Sequence, residues 1–202
     1  DTRTRLVLTN AIYFKASWAI PFNEKSTKPD TFHALDGSTT KPKMMHGSLG
    51  INYMRNDDFA LVELPYEKHD ASMIVILPHK KDGLAAVEKK LSVEGLQGWV
   101  QALLPHQVDL KLPKFTLESS FNLNGAMKEL GMKDAFDEIK ADLRNMGVSQ
   151  GDMNLYISDI LHKAFLGIDE KSTEAAAATA VIVKATKSAV RPPPHAVFHV
   201  DR

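Results

Sequence analysis

Glu170-Lys-Ser-Thr-Glu-Ala-Ala-Ala-Ala-Thr-Ala-Val-Ile182 is the stretch whose reading decides the fold. Intrinsic propensity makes Glu174 to Ala180 a helix, because alanine heads the helical scale. Its surroundings argue otherwise. The run before it, from Leu155 to Ile168, alternates like a strand, and Val181-Ile182-Val183 after it is β-branched. A small, uncharged segment that is β-compatible at both ends can enter a sheet without steric conflict. Beyond it, Pro192-Pro193-Pro194 imposes an extended path on an exposed loop.

The 202 residues carry 25 basic and 25 acidic side chains, so no global field points to nucleic acid or an anionic membrane. Lys41 with Lys43, and His79 to Lys81, read as solvated turns. Hydrophobic residues make up 44% of the chain, enough for a core. Cysteine is absent, which excludes a disulfide framework and thiol chemistry. No apolar run reaches the ~18 residues of a membrane span. Asp1 leads straight toward a strand, and Phe198 to Arg202 reads as a strand cut short, so the chain is expected to be a piece of a longer protein.

Upstream, Leu6 to Phe14 reads as a strand buried on both faces. Asp36-Gly37 marks a tight hairpin. Ile51–Tyr53, Phe59–Leu64 and Met73–Leu77 form an antiparallel meander. Helices are expected around Leu84–Leu91 and Leu96–Leu103, and a half-buried strand over Val108–Leu112. Ser120 is expected to cap a short helix closed by Gly131. Leu155 to Ile168 is the longest strand expected. The fold class is α+β, with no internal repeat and no clear domain boundary.

Several chemical motifs fail their context. Gly147-Val-Ser149-Gln-Gly151 matches a nucleophile elbow, but that motif needs a buried strand before it and a helix after it. Here a polar segment precedes and a strand follows, so it reads as a glycine-rich loop. His195 and His199 have zinc-like spacing but lie on an extended segment, where they stand roughly 13 Å apart. Met44-Met45, Trp18 and Trp99 read as packing residues. Asn10 and His162 each interrupt an apolar strand, where an unpaired polar group is costly. They are either two separately satisfied groups or one cluster joining neighbouring strands.

Taken in order, these segments resemble the serpin family of serine protease inhibitors. The likeness rests on Leu8-Thr-Asn10-Ala-Ile-Tyr-Phe14-Lys-Ala-Ser-Trp18, Leu61-Val-Glu-Leu-Pro65-Tyr66 and Leu112-Pro-Lys114-Phe115. It rests also on Ile160-Leu-His162-Lys-Ala-Phe-Leu-Gly-Ile-Asp-Glu170 and the alanine run. The resemblance implies a single serpin domain over 1–202, incomplete at both ends, with hinge and reactive-centre loop at 171–197. It implies an inhibitor, not an enzyme, with no cofactor or metal. The partners it implies are a trypsin-like or elastase-like serine protease held in a covalent complex, and the serpin segments outside this chain. Neither nucleic acid nor membrane is implied. Composition leaves the compartment undetermined, and family analogy leans extracellular.

In that family the attacking protease forms an acyl-enzyme, and the cut loop inserts between two strands of the large sheet, here Leu6–Phe14 and Leu155–Ile168. The hinge would be Glu170, Ser172, Thr173, Glu174, Ala175, Ala176, Ala177, Ala178 and Thr179. In an inserted strand Thr173, Ala175, Ala177 and Thr179 share one face, and the charged Glu174 falls on the other. Family counting places the reactive bond at Thr186–Lys187, and a loop one residue longer places it at Lys187–Ser188, the preferred assignment. Asn10 and His162 resemble the cluster controlling the middle of the sheet. Trp18, Lys114 and Glu170 resemble the cluster where the loop enters, with a Glu170–Lys114 ion pair expected. Ser172 departs from the family's usual glycine and stiffens the pivot in a chain still expected to inhibit. The competing readings are a non-inhibitory carrier, chaperone or storage serpin, and a hydrolase using Ser149.

Overall fold

A computed structural model describes residues 6–14, 16–146, 155–171 and 192–202. In chain order its strands and helices are β1 (Leu6–Tyr13), β2 (Lys28–Pro29), β3 (Phe32–His33), β4 (Thr39–Thr40), β5 (Lys43–Arg55), β6 (Phe59–Pro65) and β7 (Ser72–Pro78). Then come α1 (Leu84–Lys90), α2 (Val93–Gln101), β8 (Leu104–Pro113), β9 (Phe115–Asn122), α3 (Asn124–Glu129), β10 (Ile157–Ile168) and β11 (His195–His199). Contacts divide the chain into two compact units, one of residues 1–14 and 116–166, the other of 15–115 and 167–202.

In the first unit, β1 pairs directly with β10 in parallel, from Leu6 opposite Ile157 to Tyr13 opposite Phe165. β9 lies on the other side of β10. Tyr13 and Phe165 stack across the pair, ring centroids 5.8 Å apart. The expectation that β1 is buried on both faces is corrected. Ile12 and Tyr13 are 55% and 57% exposed, because among the described residues no layer covers either side of the strand. Ser120 is corrected too, since it lies inside β9. The amide of Asn124 at the start of α3 is bound instead by the Asn122 side chain. Gly131 does close that helix, at φ +104°, a conformation side chains resist.

The second unit is built on a sheet ordered β11-β8-β5-β6-β7, with β2 beside β5. The expected meander is present as the antiparallel run β5-β6-β7. The longest described strand is β5, with 13 residues against 12 in β10. Gly47 and Gly50 weaken its hydrophobic signal, so only Ile51–Tyr53 stands out in the sequence. From Met45 to Tyr53 its side chains alternate between core and solvent, as a sheet covered on one face requires. Val108, Leu110 and Leu112 of β8 and Phe198 of β11 fill the same core face.

Phe59 and Leu61 carry α1 and α2 through Val87 and Trp99, with the Phe59 and Trp99 rings edge to face at 4.6 Å. The α2 helix starts where Ser92 Oγ accepts the Gly95 amide. The hairpin at Asp36-Gly37 joins β3 to β4, with Gly37 at φ +83°. Pro192–Pro194 are exposed and irregular, as their rings dictate. The C-terminal residues do not end in mid-strand: β11 stops at His199, and Arg202 donates to the Pro78 carbonyl. Among the described residues no helix is long and apolar enough to cross a membrane.

Candidate functional site

Two residues beyond β10 the chain enters an acidic junction in the second unit. Glu170 is the buried charged residue among those described, 6% exposed. A lone buried carboxylate would be costly, so its partners decide whether it can stand there. Lys114, in the link from β8 to β9, puts Nζ 2.7 Å from Oε2. Thr27, in the turn before β2, donates its hydroxyl to Oε1 at 2.8 Å. Burial pushes the Glu170 pKa up, but the Lys114 hydrogen bond and the Glu170 backbone amide, with Thr27, outweigh it and hold the carboxyl below its ordinary value. The Lys114 ammonium is raised in turn, chiefly by its hydrogen bond to Glu170.

The backbone around the pair is stitched to one segment. Phe22 N donates to Glu170 O at 2.8 Å, and Trp18 N to Lys171 O at 3.0 Å. The buried Trp18 indole donates Nε1–H to Asp169 O at 2.9 Å and stacks on Tyr66 at 4.9 Å. Lys171 pairs with Glu24 at 2.9 Å. A cleft of ≈ 360 Å³ opens here, lined by charged groups that include Lys43, Lys114 and Asp169. The junction therefore fixes the path of the chain up to Lys171 by backbone as well as side-chain bonds.

Thus Trp18, Lys114 and Glu170, singled out from the sequence, share one network. Thr27, Tyr66 and the Glu24–Lys171 pair were missed. Thr27 and Glu170 are 143 residues apart, and nothing in the irregular segment around Thr27 marks it as a ligand of a distant carboxylate.

In the first unit, Asn10 and His162 face each other in register across β1 and β10. Asn10 Nδ2 and His162 Nδ1 are hydrogen-bonded at 3.3 Å. Phe121 of β9 stacks on the same imidazole. Of the two readings open at Asn10 and His162, the geometry matches the one in which they join neighbouring strands, although Asn10 is exposed rather than buried.

Ser149 and its glycines, the hinge residues Ser172, Thr173, Glu174, Ala175, Ala176, Ala177, Ala178 and Thr179, and the bond candidates Thr186, Lys187 and Ser188 lie outside the described residues. Met44 and Met45 are core, and Trp99 is half-buried against the Phe59 cluster. His195 and His199 lie on β11. Among the described residues no group of three His, Cys, Asp or Glu side chains is placed to hold a metal ion.

Comparison with known proteins places these features in a family. The model described as serpin (serine protease inhibitor) matches residues 1–202. A serine protease inhibitor of Cyanea capillata is 40% identical over 181 residues, covering 87% of this chain and 47% of its own length. The leukocyte elastase inhibitor of Xenopus laevis is 40% identical over 188 residues, covering 90% and 49%. Among solved structures, human thyroxine-binding globulin with its hormone superposes with a TM-score of 0.82 at 30% identity, over 100% of this chain and 51% of that one. The chain spans about half the length of the curated relatives it matches.

Proposed function

The chain belongs to the serpin family, and we propose that it is the loop-bearing part of a serine-type endopeptidase inhibitor that acts as a suicide substrate. A protease would cleave the segment after Glu170, at Lys187–Ser188 or at Thr186–Lys187, and remain bound as the acyl-enzyme. The freed hinge would then enter the sheet between β1 and β10, and displacement of the protease would stop deacylation. Inhibition in this scheme comes from stalling the protease's own chemistry, so the chain needs no catalytic residue.

The observation that carries this reading is the direct parallel pairing of β1 with β10, with the Asn10–His162 bond at its middle. The two strands meet without another between them, and the strand that ends at Ile168 continues into the alanine run. An inserted segment of about a dozen residues gains a net ~1 kcal/mol per hydrogen bond, on the order of ten in all. That matches the stability of an entire domain. Alanine and threonine limit the steric barrier on the face turned to the core. Asn10 and His162 would govern separation of the strands, and Trp18, Lys114 and Glu170 would hold the hinge until it moves.

The experiment is incubation of the full-length protein with trypsin-like and elastase-like serine proteases, followed by denaturing electrophoresis. A complex that survives detergent, at near-equimolar stoichiometry, is the expected result. Cleavage of the loop with no such complex would overturn the proposal. It would favour the second reading, a non-inhibitory carrier, for which the observation is the likeness to thyroxine-binding globulin.

A further inference from the structure

β10 has β1 on one side and β9 on the other. The proposed insertion requires it to part from the first and keep the second. A group of side chains near residue 159, at the end of β10 remote from Glu170, distinguishes the two seams. β9 ends at Asn122, where the chain turns into α3, yet hydrogen bonding to β10 continues past it. Leu123 N donates to Ile160 O at 2.9 Å. Asn124 then uses its carboxamide in place of a peptide unit: Oδ1 accepts the Ile160 amide at 2.9 Å, and Nδ2 donates to Ser158 O at 2.9 Å. Asn122 Nδ2 donates to Asp159 Oδ1 at 2.8 Å, and Asn124 Nδ2 lies 3.3 Å from the same oxygen. A carboxamide can bridge a strand in this way because it offers an acceptor and two donors in one plane.

The β1 seam is irregular at the same level. Leu6 stands opposite Ile157 and Val7 opposite Asp159, so the register passes over Ser158. Such an irregularity interrupts a ladder locally. Above it the pairing is parallel up to Tyr13 and Phe165, and parallel ladders are slightly weaker per residue than antiparallel ones. Asn10 and His162 bridge that seam with a hydrogen bond of 3.3 Å, longer than the three backbone bonds made by Leu123 and Asn124. Residues 158–160 are therefore bolted to the β9 side and loosely registered on the β1 side.

We propose that Asn124 is a positioning residue that selects the seam at which the sheet parts: with Asn122 and Asp159 it keeps β10 on β9, so that separation falls on β1. Its role in trapping rests on the reading that a cut loop enters between β1 and β10. Asn124 acts through β10 and does no chemistry on the protease. Without it, the far end of β10 is free to leave β9, and the slot for an inserting strand loses one of its walls. Insertion then slows, and deacylation of the protease competes with it. Alanine is a better helix former than asparagine, so replacing Asn124 by alanine does not weaken α3 through its intrinsic propensity. The effect falls on the seam.

The test is hydrogen–deuterium exchange of the full-length protein, read residue by residue, together with protease titration. Successive amides of a strand between two neighbours point to opposite sides, and the Ile160–Asn124 bond fixes which side is which. Amides of Ile160, His162 and Ala164 point to β9, and those of Leu161 and Lys163 to β1. In the wild type the first set should be better protected than the second. In Asn124→Ala, His162 and Ala164 should exchange about five- to thirtyfold faster, the factor for one or two lost hydrogen bonds. Asn124→Asp keeps the acceptor for Ile160 but sets a carboxylate against Asp159 and the Ser158 carbonyl; it should shift the same amides, and it serves if the alanine variant folds poorly. Either variant should be cleaved at the wild-type rate while its inhibitor-to-enzyme stoichiometry rises severalfold. Equal protection on the two sides of β10 in the wild type would overturn the proposal. So would unchanged exchange in both variants, or wild-type stoichiometry in a variant whose exchange has shifted. Failure of the inhibitory reading shows separately, as a wild type that is cleaved without trapping protease; the exchange pattern then still decides whether Asn124 selects the seam.

Discussion

Lys114 Nζ meets Glu170 Oε2 at 2.7 Å, joining two points 56 residues apart in the chain. The carboxylate is buried while the lysine side chain is 41% exposed, so the ammonium reaches in from water to hold a charge that could not stand there alone. This asymmetry makes the acid, not the base, the sensitive member of the pair.

Glu170→Lys would place a buried cation beside Lys114 and leave the Thr27 hydroxyl without its acceptor. The full-length protein should lose about 3–5 kcal/mol, the range for breaking a buried pair. It should also form polymers on mild heating, visible on native gels. Glu170→Gln keeps shape and hydrogen bonding and should lose roughly 1–2 kcal/mol. Unchanged monomer after heating of Glu170→Lys would contradict this role.

The same pair sets a pH window. Glu170 is held below its ordinary value of 4.5, so its contribution is complete above that value and disappears as pH falls through the lower folded value. Lys114 is raised above 10.5, so its contribution is complete below 10.5 and is lost as pH rises through the higher folded value. Stability curves of the wild type and Glu170→Gln should differ by a constant amount at neutral pH and converge in strong acid. Urea unfolding between pH 7 and pH 2.5 would measure the convergence.

Across β1 and β10, Asn10→Ala and His162→Ala should each cost about 1 kcal/mol. The double variant should lose less than the sum, because either substitution already removes the shared bond. Additive losses in a double-mutant cycle would mean that the two side chains act separately.

Within the alanine run, Ala177→Arg would carry a charge on the face that Thr173 and Ala175 share in an inserted strand. The protein should be cleaved normally but should trap protease poorly, raising the inhibitor-to-enzyme stoichiometry severalfold. Lys187→Ala should abolish reaction with a trypsin-like protease, and mass analysis of the released fragment would fix the bond. Inhibition at wild-type stoichiometry by Ala177→Arg would remove the insertion argument.

Both helices after the meander and the strand holding Val108 to Leu112 were legible because each repeats its apolar residues at a single period, and β6 and β7 because each is a short apolar run bounded by turn residues. β5 was only partly legible, since Gly47 leaves a gap in its inward face and Gly50 breaks its strand signal on the outward one. The error at β1 had another source. An unbroken apolar run records how a strand is suited to be covered, not whether a covering layer is present. Ser120 does not cap α3 because β9 runs two residues farther than the polarity of Ser119-Ser120 suggests, which leaves the Asn124 amide to the Asn122 side chain. At the candidate site, Glu170, Lys114 and Trp18 were reached through motifs. Thr27 could not be, since its role depends on tertiary placement alone.

β5 pairs with β8 from Met44 to Tyr53 and with β6 from Asn52 to Arg55, so one strand sets the registration of neighbours on both sides. Its strict alternation leaves no slack: deleting or adding a single residue between Met45 and Tyr53 would turn His46 and Ser48 toward the core and Leu49 and Ile51 toward water. Length variation should therefore be tolerated in the Asp36-Gly37 turn and rejected in β5, which makes that turn, and not the strand, the place to graft a tag or an epitope.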